Sequence, residues 1–191
     1  AGVPEFEFVQ GDTRHIDDII PVITQADAVV HLAELVGDPL CSTDSQATFE
    51  INYLATSLIA RICSDLQISR LVYASSCSVY GASEDPDAML DESSPLAPVS
   101  LYAKLKINSE RAIADTGRDN FSPCILRFGT LFGMSARPRF DLVVNTLAAK
   151  AIQEGEIQIY GGSQWRPFVH VRDASRAIKM VLEAPTDVIK N

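Results

Sequence analysis

The sequence predicts a doubly wound α/β fold, a parallel sheet with helices on both faces. Short β-rich apolar runs alternate along the chain with longer stretches whose apolar residues recur every three or four positions. "DAVVHLA" is a continuous β-rich run and "RLVYASS" another such stretch, as expected of buried strands. The chain has 191 residues, 47% hydrophobic and 21% charged, enough to bury a core of its own.

Taken in order, "EFEFVQGD" alternates strictly and stops at Gly11, which predicts a first strand. "RHIDDIIPVIT" places Ile16, Ile19, Ile20 and Ile23 at helical spacing, limited by Pro21. "DAVVHLA" is the next strand. A long helix follows over 44–66, with Asp44 or Ser45 as its N-cap. "RLVYASS" is a buried strand, and the stretch 81–100, acidic and rich in Pro and Ser, is a surface loop. A helix over 100–117 stops at Gly117, a suitable residue just past a helix end. "PCILRFG" is a strand, and a helix from Phe140 ends at Gly155. "EIQIYGG" and "PFVHV" are short strands, and a last helix is stopped by Pro185. Strand–helix alternation of this kind closes by right-handed crossovers into a parallel sheet.

Composition excludes several classes. The net charge is −9, and the basic stretches "SARPRF" and "QWRPFVHVR" are short, so nucleic acid is not expected as a partner. No apolar run reaches the roughly 18 residues that span a bilayer. The N-terminal residues lack the pattern of a secretion signal, which implies a cytoplasmic protein. Cys41, Cys63, Cys77 and Cys124 form no C-x-x-C pair and lie at no metal-ligand spacing from a histidine, so no metal is expected. Cys63, Cys77 and Cys124 sit in apolar surroundings and read as buried free thiols.

In doubly wound sheets ligands bind beyond the carboxyl ends of the strands. That directs attention to Asp12, to 33–34, to 75–78 and to 128–130. Ser76 closes a buried strand, while Tyr102 and Lys106 lie one turn apart on one helix face. Lys104 lies about 200° round the same helix and points elsewhere. A tyrosine is a weak base near its ordinary pKa of ~10, and a neighbouring ammonium favours the phenolate. With a serine to hold the substrate oxygen, the trio can take a proton from an alcohol as a hydride leaves its carbon. A Tyr-x-x-x-Lys pair alone is equally an ordinary surface helix.

"LVYASSCSVYG", "SLYAKLK", "ILRFGTLFG" and "WRPFVHVRDASRAI", preceded by "GDTRHIDDI" and "DAVVHLAELVGDP", resemble in order the extended short-chain dehydrogenase/reductase family, in its nucleotide-sugar epimerase/dehydratase branch. The resemblance covers nearly the whole chain. It implies a Rossmann-like sheet and a catalytic set of Ser76, Tyr102 and Lys106, with Lys106 also bonding the nicotinamide ribose. It implies cofactor contacts from Asp12 and Thr13 to the adenine. Leu32, Ala33 and Glu34 would line ribose and pyrophosphate, with Asn52 behind them, Ala74 and Ser75 at the strand end, and Phe128 beside the nicotinamide. Ser76, Cys77, Ser78, Thr130, Arg139, Phe140, Asn145 and Arg166 would face the nucleotide sugar, Arg166 gripping a phosphate. The cofactor implied is NAD or NADP, NAD being preferred. The helices over 47–66 and 101–114 would pair two subunits through a four-helix bundle.

Four features depart from the family pattern. The glycine-rich Gly-x-x-Gly-x-x-Gly turn is absent, which predicts an N-terminally truncated fold with part of a small C-terminal substrate lobe. On that reading residues 1–135 are a partial dinucleotide-binding domain, and 136–191 a partial substrate-binding lobe interleaved with it. Cys77–Ser78 replaces the Asp–Glu pair of the 4,6-dehydratases, which favours an epimerase. Thr130 stands where Asn is common, and Glu34 where Ala is usual. The expected activity is epimerisation of a nucleotide sugar through transient hydride transfer. The alternatives are a keto-sugar reductase and a non-catalytic or inactive truncated binding protein. Outside this set, His31 is expected as a hydrogen-bonded core residue. Trp165 is expected either to stack on a base or to pack in the lobe, and Asp173 to start the last helix.

Overall fold

A computed structural model describes residues 6–82, 88–117, 121–162, 165–185 and 187–189. Part of the acidic stretch 85–91 therefore lies outside the described residues. The elements run α1 (Ile16–Ile23), β1 (Ala28–His31), α2 (Asp38–Thr43), α3 (Ser45–Phe49), a π-helical turn (Glu50–Leu54), α4 (Ala55–Asp65) and β2 (Arg70–Ser76). A 3₁₀ turn (Cys77–Tyr80), α5 (Leu101–Asp115), β3 (Ser122–Phe128), β4 (Thr130–Phe132), α6 (Val143–Glu154), β5 (Phe168–His170) and α7 (Val171–Glu183) follow.

β1, β2 and β3 form a parallel sheet in that order, with His31 opposite Tyr73 and Ser76 opposite Phe128. β4 and β5 form a separate parallel pair, Thr130 opposite Phe168. The Rossmann-like parallel sheet expected from the sequence is present. Its core packs Ile19 and Ile23 of α1 and Ile59, Ile62 and Cys63 of α4 with Leu71 and Tyr73 of β2 and Ile113 of α5. The amphipathic spacing of each helix puts these residues on one stripe facing the sheet. Arg70, buried at the start of β2, donates to the carbonyls of Val181 and Ala184 and ties down the end of α7. Those carbonyls are otherwise unsatisfied at a helix terminus.

Several elements differ from expectation. Residues 6–12 form no strand, and Phe6 and Phe8 are exposed. A strand needs a neighbour for its backbone groups, and no described strand pairs with this segment. "EIQIYGG" is also irregular, with Ile157 and Ile159 exposed, for the same reason. The long helix is capped by Asp44, whose carboxylate accepts from Ala47 N at 2.9 Å. Its middle widens into the π turn, where the carbonyl of Asn52 accepts from both Thr56 Oγ and Ser109 Oγ at 2.8 Å. Such turns add a residue to a helix and recur at functional sites. α2 and β4 were not anticipated. Cys41 and Cys63 are buried, whereas Cys77 and Cys124 are only partly so; all four are free thiols. Among the described residues no helix is long and apolar enough to cross a membrane.

Candidate active site

The carboxyl end of β2 and the first turns of α5 build the site. Ser76 ends the strand, and its hydroxyl accepts from Ser78 N at 3.2 Å, opening the 3₁₀ turn. Gly81 closes that turn at φ 70°, where a Cβ would lie 1.9 Å from Ala97 O; only glycine fits. Ser100 caps α5, accepting from Ala103 N, and so starts the helix that carries Tyr102 and Lys106 over the strand ends.

Ser76, Tyr102 and Lys106 come together. The Ser76 hydroxyl lies close enough to the Tyr102 phenol to favour its ionised form, and the Lys106 ammonium lies 5.5 Å from the Tyr102 ring centre. Lys106 is almost wholly buried. Its Nζ lies 2.5 Å from a Glu34 carboxylate oxygen and donates to Ala74 O. Tyr73 OH donates to the other Glu34 oxygen at 2.6 Å. The phenolate-favouring role expected of Lys106 is therefore modified. Burial, and then the Glu34 charge, raise the Tyr102 phenol above its ordinary value, while Ser76 acts the other way. Burial likewise raises the Glu34 carboxyl and lowers the Lys106 amine, and their mutual attraction opposes both shifts.

The other expected contacts are distributed as follows. Leu32 and Ala33 are exposed just beyond β1. Asn52 is buried and clamps Leu35, accepting from its N–H at 2.9 Å and donating to its carbonyl at 2.8 Å, which fixes the loop carrying Glu34. Asp12 is paired with Arg14 at 2.6 Å, and Thr13 beside it is half-buried. Ser75 points into the protein, donating to Glu110, rather than toward the strand ends. Phe128 ends β3 beside Ser76. Cys77 adjoins the site, and burial raises its thiol while Ser76 and Arg166 act against that. The Ser78 hydroxyl is buried with no hydrogen-bond partner among the described residues. Arg139 is paired with Asp141 at 3.0 Å and lies close enough to act electrostatically on Tyr102. Asn145 spans Gly133 N and Arg139 O, both at 3.1 Å. Thr130 N donates to Pro167 O at 2.9 Å, and Phe140 and Arg166 are exposed. Trp165 is exposed and unpacked, contrary to the packed alternative, because the segment bearing it lies on the surface. Asp173 sits in the first turn of α7, whose N-cap is His170.

Sequence reasoning missed Tyr73 and Glu110. Tyr73 is a polar-tipped aromatic in a fully apolar run, and Glu110 a carboxylate on the buried face of α5. Each is a buried polar group that needs a partner, which is the signal that points to them.

His31 is a core residue, its Nε2 2.8 Å from Thr56 Oγ and its ring stacked on Tyr73. Burial, aided by the Lys106 charge, pushes its pKa down to about 4. Above its ordinary 6.5 both folded and unfolded chains are neutral there. As pH falls from 6.5 toward about 4 the unfolded chain takes up the proton first, so stability drops by up to ~1.4 kcal/mol per pH unit. His31→Gln is expected to remove that component. Denaturant titrations of both proteins at pH 7 and pH 5 measure it as the native-minus-variant difference.

Residues 1–191 match the model of the NAD dependent epimerase/dehydratase family. The chain belongs to that family. Among curated relatives it is 27% identical over 172 residues to a Bacillus subtilis protein named uncharacterized UDP-glucose epimerase YtcB, covering 88% of this chain and 52% of that one. It is 29% identical over 186 residues to a Streptomyces niveus dTDP-glucose 4,6-dehydratase, covering 95% and 54%. The chain thus spans about half the length of these relatives. Among solved structures it resembles MoeE5 in complex with UDP-glucuronic acid and NAD, with a TM-score of 0.80, 31% identity and 93% and 58% of the two chains covered. The Bacillus cereus UDP-glucuronic acid 4-epimerase shares the fold, with a TM-score of 0.83 at 24% identity over 96% and 58%. The epimerase/dehydratase fold of this family is the one that brings Ser76, Tyr102 and Lys106 to one strand end.

Proposed function

We propose that the chain is the catalytic part of an NAD-dependent nucleotide-sugar epimerase. The observation that carries the reading is the meeting of Ser76, Tyr102 and Lys106 beyond β2, with Tyr102 half-buried beside Ser76 and Lys106. The donors suit a nicotinamide ribose. Lys106 donates to Ala74 O and is ion-paired with Glu34, and the Glu34 carboxylate accepts from the Tyr73 hydroxyl. NAD, when bound, supplies the hydride acceptor. Tyr102 takes the proton of the sugar hydroxyl as the hydride leaves the same carbon, and Ser76 holds that oxygen. Return of hydride and proton to the opposite face of the keto sugar completes epimerisation with no net redox change. The unpartnered Ser78 hydroxyl suits a sugar hydroxyl. Cys77, its thiol raised by burial, is a poor acid/base for water elimination, which favours epimerisation over dehydration.

The relatives' complexes with UDP sugars and NAD support this substrate class. Residues 1–135 are assigned to cofactor binding, and 136–191, with Arg139, Phe140, Asn145 and Arg166, to the sugar side. A homodimer through α3–α4 and α5 is part of the proposal. Phe49 and Leu54, exposed apolar residues on the first of these, support it, although the exposed residues Lys104, Asn108 and Arg111 of α5 are polar. The test is turnover of the full-length protein on a panel of UDP- and dTDP-sugars with catalytic NAD. Product formation without net NADH supports epimerisation. In a parallel assay with added NAD(P)H and a keto sugar, oxidation of one NAD(P)H per product identifies the reductase instead, and no turnover on any sugar overturns the reading.

A further inference from the structure

Glu34 stands where the family pattern has Ala, and its carboxylate is buried against the lysine of the catalytic set. The pair is built rather than incidental. Asn52 clamps the backbone next to Glu34, Tyr73 donates to one carboxylate oxygen at 2.6 Å, and the other lies 2.5 Å from Lys106 Nζ. The side chains of Glu34 and Lys106 are 3% and 5% exposed, so their charges are little screened by solvent.

We propose that Glu34 is a positioning residue for Lys106: it draws the ammonium onto itself and the Ala74 carbonyl, leaving less positive charge for the Tyr102 phenolate and making proton removal by Tyr102 a step favoured at alkaline pH. The proposal rests on Tyr102 being the proton acceptor. His31 from β1 is neutral, held so by burial. Tyr73 of β2 is committed to Glu34 as a donor. Cys41 of α2 and Cys77 of the 3₁₀ turn are thiols raised by burial. Glu110, on α5 itself, adds negative potential at Lys106 but is engaged by Arg127. Arg139 faces Tyr102 yet is paired with Asp141. Glu34 is therefore the charge nearest Lys106 whose removal changes the field at Tyr102 without disturbing another ion pair.

Glu34→Gln keeps the shape and the acceptor for Tyr73 while removing the charge. In the full-length protein, ultraviolet absorbance titration reads phenolate formation directly, with Tyr102→Phe in each background as the blank. Glu34→Gln is expected to bring the onset of Tyr102 ionisation down by about one pH unit or more, the size of effect a nearby charge produces. The acid limb of the kcat profile should move the same way, raising the rate below that limb ~10-fold. Glu34→Asp, which retains the charge, should return both toward the native values. If Glu34→Gln does not fold by circular dichroism, Glu34→Ala serves, with the same expected direction. An unchanged or higher onset of Tyr102 ionisation overturns the inference, whether or not turnover is seen. A lowered onset in a protein that turns over no nucleotide sugar upholds it and defeats only the proposed reaction.

Discussion

Tyr102→Phe is expected to cut turnover by at least ~100-fold, the usual size of a lost general base, while the chain stays folded. The substitution removes one oxygen. The half-buried ring keeps its packing at the start of α5 and loses only its polar hydroxyl. That hydroxyl is not part of the core around Ile113 and Leu71, so the melting temperature should move by only a few degrees. The loss should fall on kcat, because the phenol acts when the proton moves. Measuring kcat and KM on the sugar identified by the panel, beside a thermal melt, separates the two effects. A loss of less than 10-fold with an intact fold would remove Tyr102 from the role of base.

Glu110→Ala is expected to cost ~3–5 kcal/mol of stability, the range for stripping one partner from a buried ion pair. Glu110 accepts from Arg127 at 2.7 and 3.0 Å and from Ser75, and Arg127 in turn donates to Tyr80 OH at 2.9 Å. Removing the carboxylate strands a guanidinium only 19% exposed at the edge of the sheet, and leaves the Ser75 hydroxyl unpaired in a buried position. In a chain of this size that lowers the melting temperature by on the order of 10 °C. Glu110→Gln keeps the Ser75 acceptor and one oxygen for Arg127, and should cost about half as much. Urea unfolding of the three proteins gives the comparison, and a cost under ~1 kcal/mol for the alanine variant would mean that solvent reaches Arg127 and replaces the carboxylate.

Both residues show how far the sequence could be read. α5 was legible because Ser100, the four-residue step from Tyr102 to Lys106 and the glycine after Thr116 are local signals whose meaning depends only on helix geometry. β1 and β2 were legible because their centres are runs of β-branched and apolar residues, as expected of strands covered by helices. The segment at Phe6 and Phe8 had the right alternation and still formed no strand, since alternation reports a strand's faces but not whether a neighbour exists to pair with. The nearness of Ser76, Tyr102 and Lys106 could be read because strand ends and helix starts coincide in this topology. The partnership of Glu34 with Lys106 could not, because it depends on how a loop after one strand lies across the next, and on Asn52 holding that loop. Glu34 was visible only as a residue out of pattern. Its burial, and with it the charge balance at Tyr102, appears only in three dimensions.

The π turn between α3 and α4 makes the spacing of the chain itself a catalytic variable. It holds one more residue than an ordinary helical turn, and Asn52 lies inside it. Losing any single residue from 50–54 would let the helix regularise with its two flanks still in phase, yet residues inside the turn would shift by one position, about 100° around the axis. The amide that clamps Leu35 would leave its partner, and the segment carrying Glu34 would lose its anchor. Point changes in this stretch adjust side chains, whereas a change in its length decides which residue of the turn faces the loop after β1.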